Sequence, residues 1–599
     1  MLKSLVRSGL RAGLKNWPSI LFFEITYKIA GYLLFLNLWD LLKASALRAA
    51  GVSVIGQRNI GLVFRSPFCV LLILCFFLFL VYYVYLEITA LVLYCEEGWQ
   101  GRFISIWPLW KQAFLRSLAL FQPRNLPAIL ALVPVIGLSA LPLTNGFAGK
   151  IQIPEFVFDY LKGAPSLFAA FLAVMAALNL LLFFCLFSFP AVILGGKRYC
   201  GALGESRRLL KGRKLKTALF LLACVLAFLL AALLLSVCMI LLLWGFSKLE
   251  FAPDGGKSAF TFHYLKWSAA GGVLLGILGP VSLFSAILSL YHHYRGDPRP
   301  CAAPAKRTVK SVLFSGFFVA AALFALMVFS ETELGGVPYS APQAGMIVVS
   351  HRAGAAFAPE NTLAALEWSI REGAGMAEID VQQTRDGELI VLHDSDFRRV
   401  AGLDQKVWET DYSTVQSLDA GSHFSPAFAG ERIPTLSEML NAAKGRIRLM
   451  IELKATGHET ALVEQTIARI RAAGMENQCV IASMDSLLLQ KSKELAPGIN
   501  TVYITIMAFS DRYDLPYVDG YSVETSFLNA ELVTQLHAEG KEVYAWTANS
   551  DANMLKIIRM GADGLVTDNP PLANFFLSIT DRNYFLNSLT ELLYPKVPN

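Results

Sequence analysis

At 599 residues, 55% hydrophobic and 16% charged, the chain is too apolar to be a single soluble globular unit. Its net charge of +6 gathers in loops flanking apolar blocks, which argues against nucleic acid as a partner and for anionic lipid headgroups. The nine cysteines show no paired CxxC spacing, and Cys479 alone lies in the C-terminal part, so neither a thiolate metal site nor a disulfide is expected there.

Up to about Ser330 the sequence alternates apolar blocks of membrane-crossing length with short basic loops. Seven spans are expected, at about 20–42, 68–94, 126–144, 167–195, 217–245, 268–291 and 311–330. Glu24 and Lys28 stand one helical turn apart in the first, which could therefore lie in the interface, and an ion pair is their simplest role. Pro127, Pro134 and Pro142 interrupt the third. No signal-peptide cleavage site stands out, so the N-terminus is expected to be retained. The loop after the fourth block carries Lys197, Arg198, Arg207, Arg208, Lys211, Arg213, Lys214 and Lys216, and the loop after the sixth carries Arg295, Arg299, Lys306, Arg307 and Lys310. The positive-inside rule puts both in the cytoplasm and the C-terminal domain outside. Lys43, Arg48, Arg58 and Arg65 run against that orientation. His292 and His293, at a span end beside Arg295, read as interfacial anchors.

Beyond Gly335 the composition becomes that of a soluble α/β domain. Strands are expected at Met346–Ser350, Met376–Thr384, Glu388–His393, Arg448–Lys454, Cys479–Ser483, Thr501–Ile506, Gly520–Glu524 and Glu542–Thr547, with a last apolar run at Gly564–Thr567. Helical spacing between them, as in Thr362–Glu372 and Thr460–Ala473, points to a TIM-type (β/α)₈ barrel, with an open doubly wound sheet as the fallback. Only Arg385-Asp386-Gly387 separates the second and third strands, too little for a parallel crossover, so a hairpin is expected. Pairing Arg385 with Glu388 would set Asp380 opposite His393.

Polar residues gather where the strands end, the active-site face of such barrels. Glu378, Asp380 and Glu452 offer hard oxygen ligands suited to Ca²⁺ or Mg²⁺. His351 and His393 suit general acid and base. Arg352 can grip a phosphate oxygen or pair with an acid, and Lys454 can add positive charge to a phosphate site or pair with Glu452. Asn361 or Thr362 is expected to cap the first helix, Glu360 to support the site, and Phe357 and Trp546 to line a substrate pocket or pack in the core. His423, His458 and His537 read as surface residues.

At these positions the chain resembles the glycerophosphodiester phosphodiesterase family, with its HRG, PENT, E-x-D, HD and E-x-K motifs. The corresponding residues are His351-Arg352-Ala353, Pro359-Glu360-Asn361-Thr362, Glu378-Ile379-Asp380, His393-Asp394 and Glu452-Leu453-Lys454. Similar stretches are Ala420-Gly421-Ser422, Ile433-Pro434-Thr435-Leu436, Trp546-Thr547 and Gly564-Leu565-Val566-Thr567-Asp568. Ala353 stands where the family usually has Gly, which strains the loop if that position needs a positive φ.

The resemblance implies a phospholipase C-like TIM barrel over residues 346–575, after a multi-span domain at 1–335 like that fused to some bacterial members, with a tail at 576–599. It implies a divalent cation on Glu378, Asp380 and Glu452, acid/base roles for His351 and His393, and a phosphate contact from Arg352, while Lys454 and Trp546 complete the expected phosphate- or substrate-binding set. The implied reaction converts a glycerophosphodiester and water to sn-glycerol 3-phosphate and an alcohol, at the outer face of a bacterial cell membrane. Two other readings remain: a lysophospholipase D-type hydrolase of membrane lipids, and a non-catalytic transporter or sensor whose barrel binds ligand.

Overall fold

The computed structural model describes residues 16–297 apart from 52–53, 56–59, 136–142, 145–156, 159–160, 162–163 and 249–256, and residues 345–578 apart from 508, 511 and 512. Among them, five helices are long and apolar enough to cross a bilayer. They are Trp17–Ala50 (α1), Pro67–Trp99 (α2), Pro165–Cys185 (α3), Lys214–Ser247 (α4) and the Leu274–Arg295 part of Lys257–Arg295 (α5). The expected seventh span, 311–330, lies outside the described residues.

Local chemistry sets these helix ends. Ser66 caps α2 by accepting from the Cys69 amide, and Pro67 at the first helical position gives up an N–H that would have no partner there. Gly51 ends α1 in the left-handed region and returns its N–H to the Leu47 carbonyl. The third expected span is not a continuous helix: its described residues form Pro127–Leu132 and a 3₁₀ turn at Val133–Val135. Pro134 cannot donate to the preceding turn.

Aromatic contacts fasten α1 to α2. Tyr27 stacks on Tyr83 at 4.1 Å, an approach open only because residue 31 is Gly, since a Cβ there would stand 2.0 Å from the Tyr83 ring. Glu24 is buried on α1 and pairs with Lys28 at 2.6 Å. His292 is not the interfacial anchor expected. It faces inward from α5, with its two ring nitrogens 2.7 Å from Glu96 and 2.8 Å from Asp297 and its ring stacked on Trp99.

The C-terminal domain is a closed barrel of eight parallel strands. They are Ile347–Ser350 (β1), Met376–Gln383 (β2), Arg448–Leu453 (β4), Cys479–Ser483 (β5), Asn500–Thr505 (β6), Gly520–Glu524 (β7), Glu542–Trp546 (β8) and Gly564–Thr567 (β9). Neighbours pair in register from β2 round to β9, and β1 closes the ring by pairing with both β9 and β2. The last apolar run is thus the eighth parallel strand, while Leu389–Val391 (β3) is a ninth, antiparallel to β2.

Between strands lie Leu363–Arg371 (α6), Leu436–Ala443 (α7), Leu462–Ala473 (α8), Ser486–Leu495 (α9), Ala530–Ala538 (α10) and Asp551–Met560 (α11), with Pro570–Ser578 (α12) after β9. Alternate strand residues divide two cores. Val349, Met376, Met450, Val480, Val502, Tyr544 and Val566 fill the lumen, while Ile379, Val381, Ile451, Leu453 and Ile481 pack outward under the helices. Gly564 is needed in the lumen, because a Cβ there would fall 2.2 Å from the Tyr544 ring.

The β2–β3 hairpin forms, with its register one residue away from expectation. Val381 pairs with Val391 and Gln383 with Leu389, and the Leu392 amide donates to the Asp380 carbonyl, so Asp380 faces Leu392 rather than His393. The cause is a three-residue loop, Arg385-Asp386-Gly387, closed by Thr384 and Glu388, with Gly387 at φ 90°. After β3 the chain forms an insertion around its own small core of Phe397, Val400, Val407 and Val415 before α7 and β4.

Candidate active site

The parallel strands all end on one face, and the barrel gathers the acids and bases there. Glu378 and Asp380 lie two apart on β2 and share its inner face; Asp380 sits beside Glu452 of β4 in the register. One carboxylate oxygen from each of the three lies within 4.8 Å of the others, and all three residues are buried. Lys454, next along β4, puts its ammonium 2.6 Å from Asp380 and 2.9 Å from Glu452. It therefore pairs with both acids.

Burial and the adjacent Asp380 carboxylate push Glu378 up to about 8. Burial also opposes ionisation of Asp380, but Lys454, His393 and Arg352 together hold it far below the usual carboxylate range. Oε2 of Glu378 accepts from the Arg352 amide at 2.8 Å, while its Oε1 is buried without a hydrogen-bond partner. A buried carboxyl oxygen with no partner is costly. With two more carboxylates at its side, it fits a divalent cation, and a set of three carboxylates suits a hard cation better than zinc.

His351 follows β1, and its Nδ1 lies 2.7 Å from Oδ1 of Asp568, just beyond β9. Asn549 holds that carboxylate in turn, donating to Oδ2 at 2.6 Å and accepting from the Asp568 amide at 2.9 Å. Burial works against protonation of His351, but the Asp568 carboxylate outweighs it and raises the imidazole above its ordinary value. His393 has the same kind of partner: its Nδ1 is 2.9 Å from Asp394, which also accepts from Arg399 at 2.8 Å. Despite burial, those two partners hold Asp394 well below the usual carboxylate range. Gln382 steadies this turn by donating to the carbonyls of Leu392 and Asp394, both at 2.7 Å. This bending of the chain after β3, rather than strand pairing, brings His393 to the site. Each histidine thus has Nδ1 engaged by a carboxylate, with Nε2 left for chemistry.

Arg352 pairs with Glu360 at 3.1 Å, and its buried Nε has no partner. Arg399 grips the same Glu360 through two nitrogens, at 2.7 and 2.8 Å. Asn361 does not cap the first barrel helix. It donates to Asp380 at 2.7 Å and accepts from the Asp380 amide at 3.2 Å, while Thr362 supplies the cap. Arg352, Ala353 and Asn361 all have positive φ, near 49°, 60° and 59°. The strain expected at Ala353 is therefore present, and Gly354 at φ 119° follows without removing it. Trp546 packs against the lumen cluster and donates from Nε1 to the Ser522 carbonyl at 3.0 Å. Phe357 stacks on Trp368 at 4.3 Å, and His537, read as a plain surface residue, pairs with Asp563 at 2.8 Å.

The sequence-predicted set is brought together, and Asn549 and Arg399 join it without having been singled out. Asp394 and Asp568 stood in recognised motifs, yet their pairing with the histidines was not foreseen. An Asp next to His was a local clue for the first, while Asp568 lies far along the chain from its partner.

Comparison with known proteins accords with this geometry. A profile of the Glycerophosphoryl diester phosphodiesterase family matches residues 351–572, and one described as the Membrane domain of glycerophosphoryl diester phosphodiesterase matches residues 6–261. The chain is 31% identical over 229 residues to the glycerophosphodiester phosphodiesterase of Caldanaerobacter subterraneus subsp. tengcongensis, covering 37% of this chain and 94% of that one. It is 28% identical over 235 residues to the Bacillus altitudinis glycerophosphodiester phosphodiesterase, covering 38% and 96%. Among solved structures it is similar to an Oleispira antarctica phosphodiesterase in complex with the product sn-glycerol-3-phosphate, at 28% identity, TM-score 0.36, and coverage of 39% and 96%. With barrel and membrane half both matched, the chain belongs to the glycerophosphodiester phosphodiesterase family and is a membrane-anchored enzyme that hydrolyses glycerophosphodiesters.

Proposed function

We propose that hydrolysis takes place at the mouth of the barrel, with Glu378, Asp380 and Glu452 as ligands for Ca²⁺ or Mg²⁺ and His351 and His393 as the acid/base pair. The observation that carries this reading is the buried, partnerless Glu378 Oε1 beside two further carboxylates, between two histidines that each have a carboxylate partner. A divalent cation held there supplies Lewis-acid polarisation of the phosphate oxygens. Arg352, with an unengaged buried Nε, grips a phosphate oxygen, and Lys454 adds positive charge. One histidine takes the proton from the nucleophile, which is water or the glycerol 2-hydroxyl. The other returns a proton to the departing alcohol. Trp546 forms part of the pocket wall. The products are sn-glycerol 3-phosphate and the free alcohol.

The division into residues 1–335, 346–575 and 576–599 belongs to the same proposal, and so does the outward-facing barrel. Asn16 and Ser19, at the start of α1, bond to the carbonyls of Arg102 and Ile104, after the end of α2. Glu96 near that end meets His292 at the end of α5, beside Glu205 of the basic loop. The segment after α1 lies at the opposite membrane surface and pairs with the barrel. Positive charge around Lys197–Lys216 assigns the first surface to the cytoplasm, so the barrel is outside. Lys43, which ran against this orientation, is paired with Asp40 at 3.5 Å.

The test is release of glycerol 3-phosphate from glycerophosphocholine and glycerophosphoethanolamine by the full chain and by His351→Ala and His393→Ala. Release by the parent with loss in both variants is expected; unchanged release in either variant would remove that histidine from the reaction.

A further inference from the structure

At the membrane surface that carries the basic loop Lys197–Lys216, three helices meet around one buried ring. His292, near the end of α5, is only 7% exposed. Its Nε2 lies 2.7 Å from Oε2 of Glu96 on α2, and its Nδ1 lies 2.8 Å from Oδ2 of Asp297, just past the end of α5. The ring lies flat on Trp99 of α2, with centroids 3.8 Å and planes 11° apart. Both acids have further partners. Gln100 donates to the other oxygen of Glu96. Arg295 stands 3.5 Å from Asp297 and 3.9 Å from Glu205, which lies on the helix Tyr199–Leu210. Lys197 pairs with the same Glu205 at 2.5 Å.

The count of donors decides the charge of that ring. A neutral imidazole has one N–H and one bare nitrogen, so with a carboxylate at each nitrogen one acid would face a lone pair. Both contacts are attractive only when the ring holds two protons. The local charges then balance, because Glu96, Asp297 and Glu205 face Lys197, Arg295 and the imidazolium. The face of Trp99 favours the same form, since an aromatic face attracts a cation. Other charged and titratable groups nearby turn to other partners among the described residues. Glu97 pairs with Arg102 at 2.6 Å, the Tyr291 hydroxyl accepts from Arg295 at 2.9 Å, and Arg213, before α4, lies over the Tyr294 ring at 4.8 Å.

We infer that His292 is a proton-operated latch, which as imidazolium clamps the end of α2 to the end of α5 and to the chain leaving it, and which opens when the ring gives up a proton. Imidazole is the side chain that changes charge near neutrality. Loss of one proton sets a lone pair against a carboxylate and leaves that buried acid without its cation, which is costly. The latch is therefore closed on the acid side of its titration and open on the alkaline side. All of its residues belong to the membrane half, so it stands apart from the chemistry of the barrel. On the orientation proposed above, it reads the pH of the cytoplasm.

The test is hydrogen–deuterium exchange of the full chain in lipid nanodiscs at pH 6 and pH 8, corrected for the intrinsic exchange rate. Opening coupled to the loss of one proton grows by up to about tenfold per pH unit. Peptides covering 96–102 and 291–297 are therefore expected to lose about tenfold in protection at pH 8, while a barrel peptide covering 479–483 stays within about twofold. His292→Gln and Glu96→Gln each remove one partner, and in both the pH response of the two peptides should disappear. Turnover of glycerophosphocholine within about twofold of the parent shows that these variants fold, and where one does not, the parent's own response decides. Equal protection at both pH values in the parent, a response in one of the two peptides alone, or a response that survives His292→Gln would overturn the latch. So would a loss of protection that the barrel peptide shares, because that is general loosening.

Discussion

Replacing Asp568 by Asn alters one atom and two properties of His351. The carboxylate accepts from Nδ1 at 2.7 Å in a largely buried position. Asn549 donates to its other oxygen, so the new amide keeps its own oxygen toward Asn549 and turns NH₂ toward the imidazole. His351 must then accept at Nδ1, which moves its proton to Nε2, the atom left for substrate. A charge-assisted hydrogen bond contributes about 1.5–3 kcal/mol. At about 1.4 kcal/mol per tenfold, its loss lowers kcat/KM by about 10–150-fold. The pH profile moves in a defined direction as well. Asp568 raises the His351 pKa above its ordinary value, so the variant's pKa is lower. The limb that His351 sets therefore shifts to lower pH, whichever proton transfer it performs. Steady-state release of glycerol 3-phosphate across pH reads both effects. A rate within about twofold of the parent, with the limb unmoved, would refute the pairing as a functional device.

Arg399→Ala should lower kcat/KM about tenfold, because Asp394 and Glu360 lose a shared partner and His393 loses its fixed carboxylate; steady-state kinetics on glycerophosphocholine check it. The same pairs make the fold acid-sensitive: burial notwithstanding, Asp394 and Glu360 are depressed, so their stabilisation is present above the ordinary carboxylate pKa, about 4, and is lost as pH falls through the folded values. The melting temperature should fall in that acid window for the parent and fall less for Arg399→Ala. Ala353→Gly relieves a left-handed alanine and should gain about 1 kcal/mol, seen as about 2–4 °C in thermal melting. Asn361→Ala removes the donor that orients Asp380 and should raise the divalent concentration for half-maximal activity about 10–100-fold in a metal titration.

Much of the barrel was legible because β-branched runs and short helical patterns alternate, and Cys479–Ser483, Gly520–Glu524 and Gly564–Thr567 fall on the strands expected. The E-x-D and E-x-K spacings were legible for the same reason: a period of two puts both members on one strand face. The hairpin was visible in Asp386-Gly387, but its register was not, because Gly387 makes a three-residue loop where a two-residue turn was assumed. Asn549 and Arg399 escaped because their value lies in what they hold, and only the closed ring of strands brings Asn549 and Asp568 up to His351. The antiparallel pairing of Val54–Ile55 with Phe509–Ser510 is two residues long and carries no pattern that a periodicity can register. His292 looked interfacial because it stands at a span end; its inward face depends on Glu96 of another helix.

Glycerol 3-phosphate release by chelator-stripped full-length protein, titrated with Ca²⁺ and then Mg²⁺ beside Glu378→Gln, asks most plainly whether the three carboxylates hold a cation that the reaction needs. Silence after chelation, recovery with one of the two ions, and no recovery in Glu378→Gln is the predicted result. Full turnover in the chelator, or a Glu378→Gln variant that recovers like its parent, would contradict the assignment.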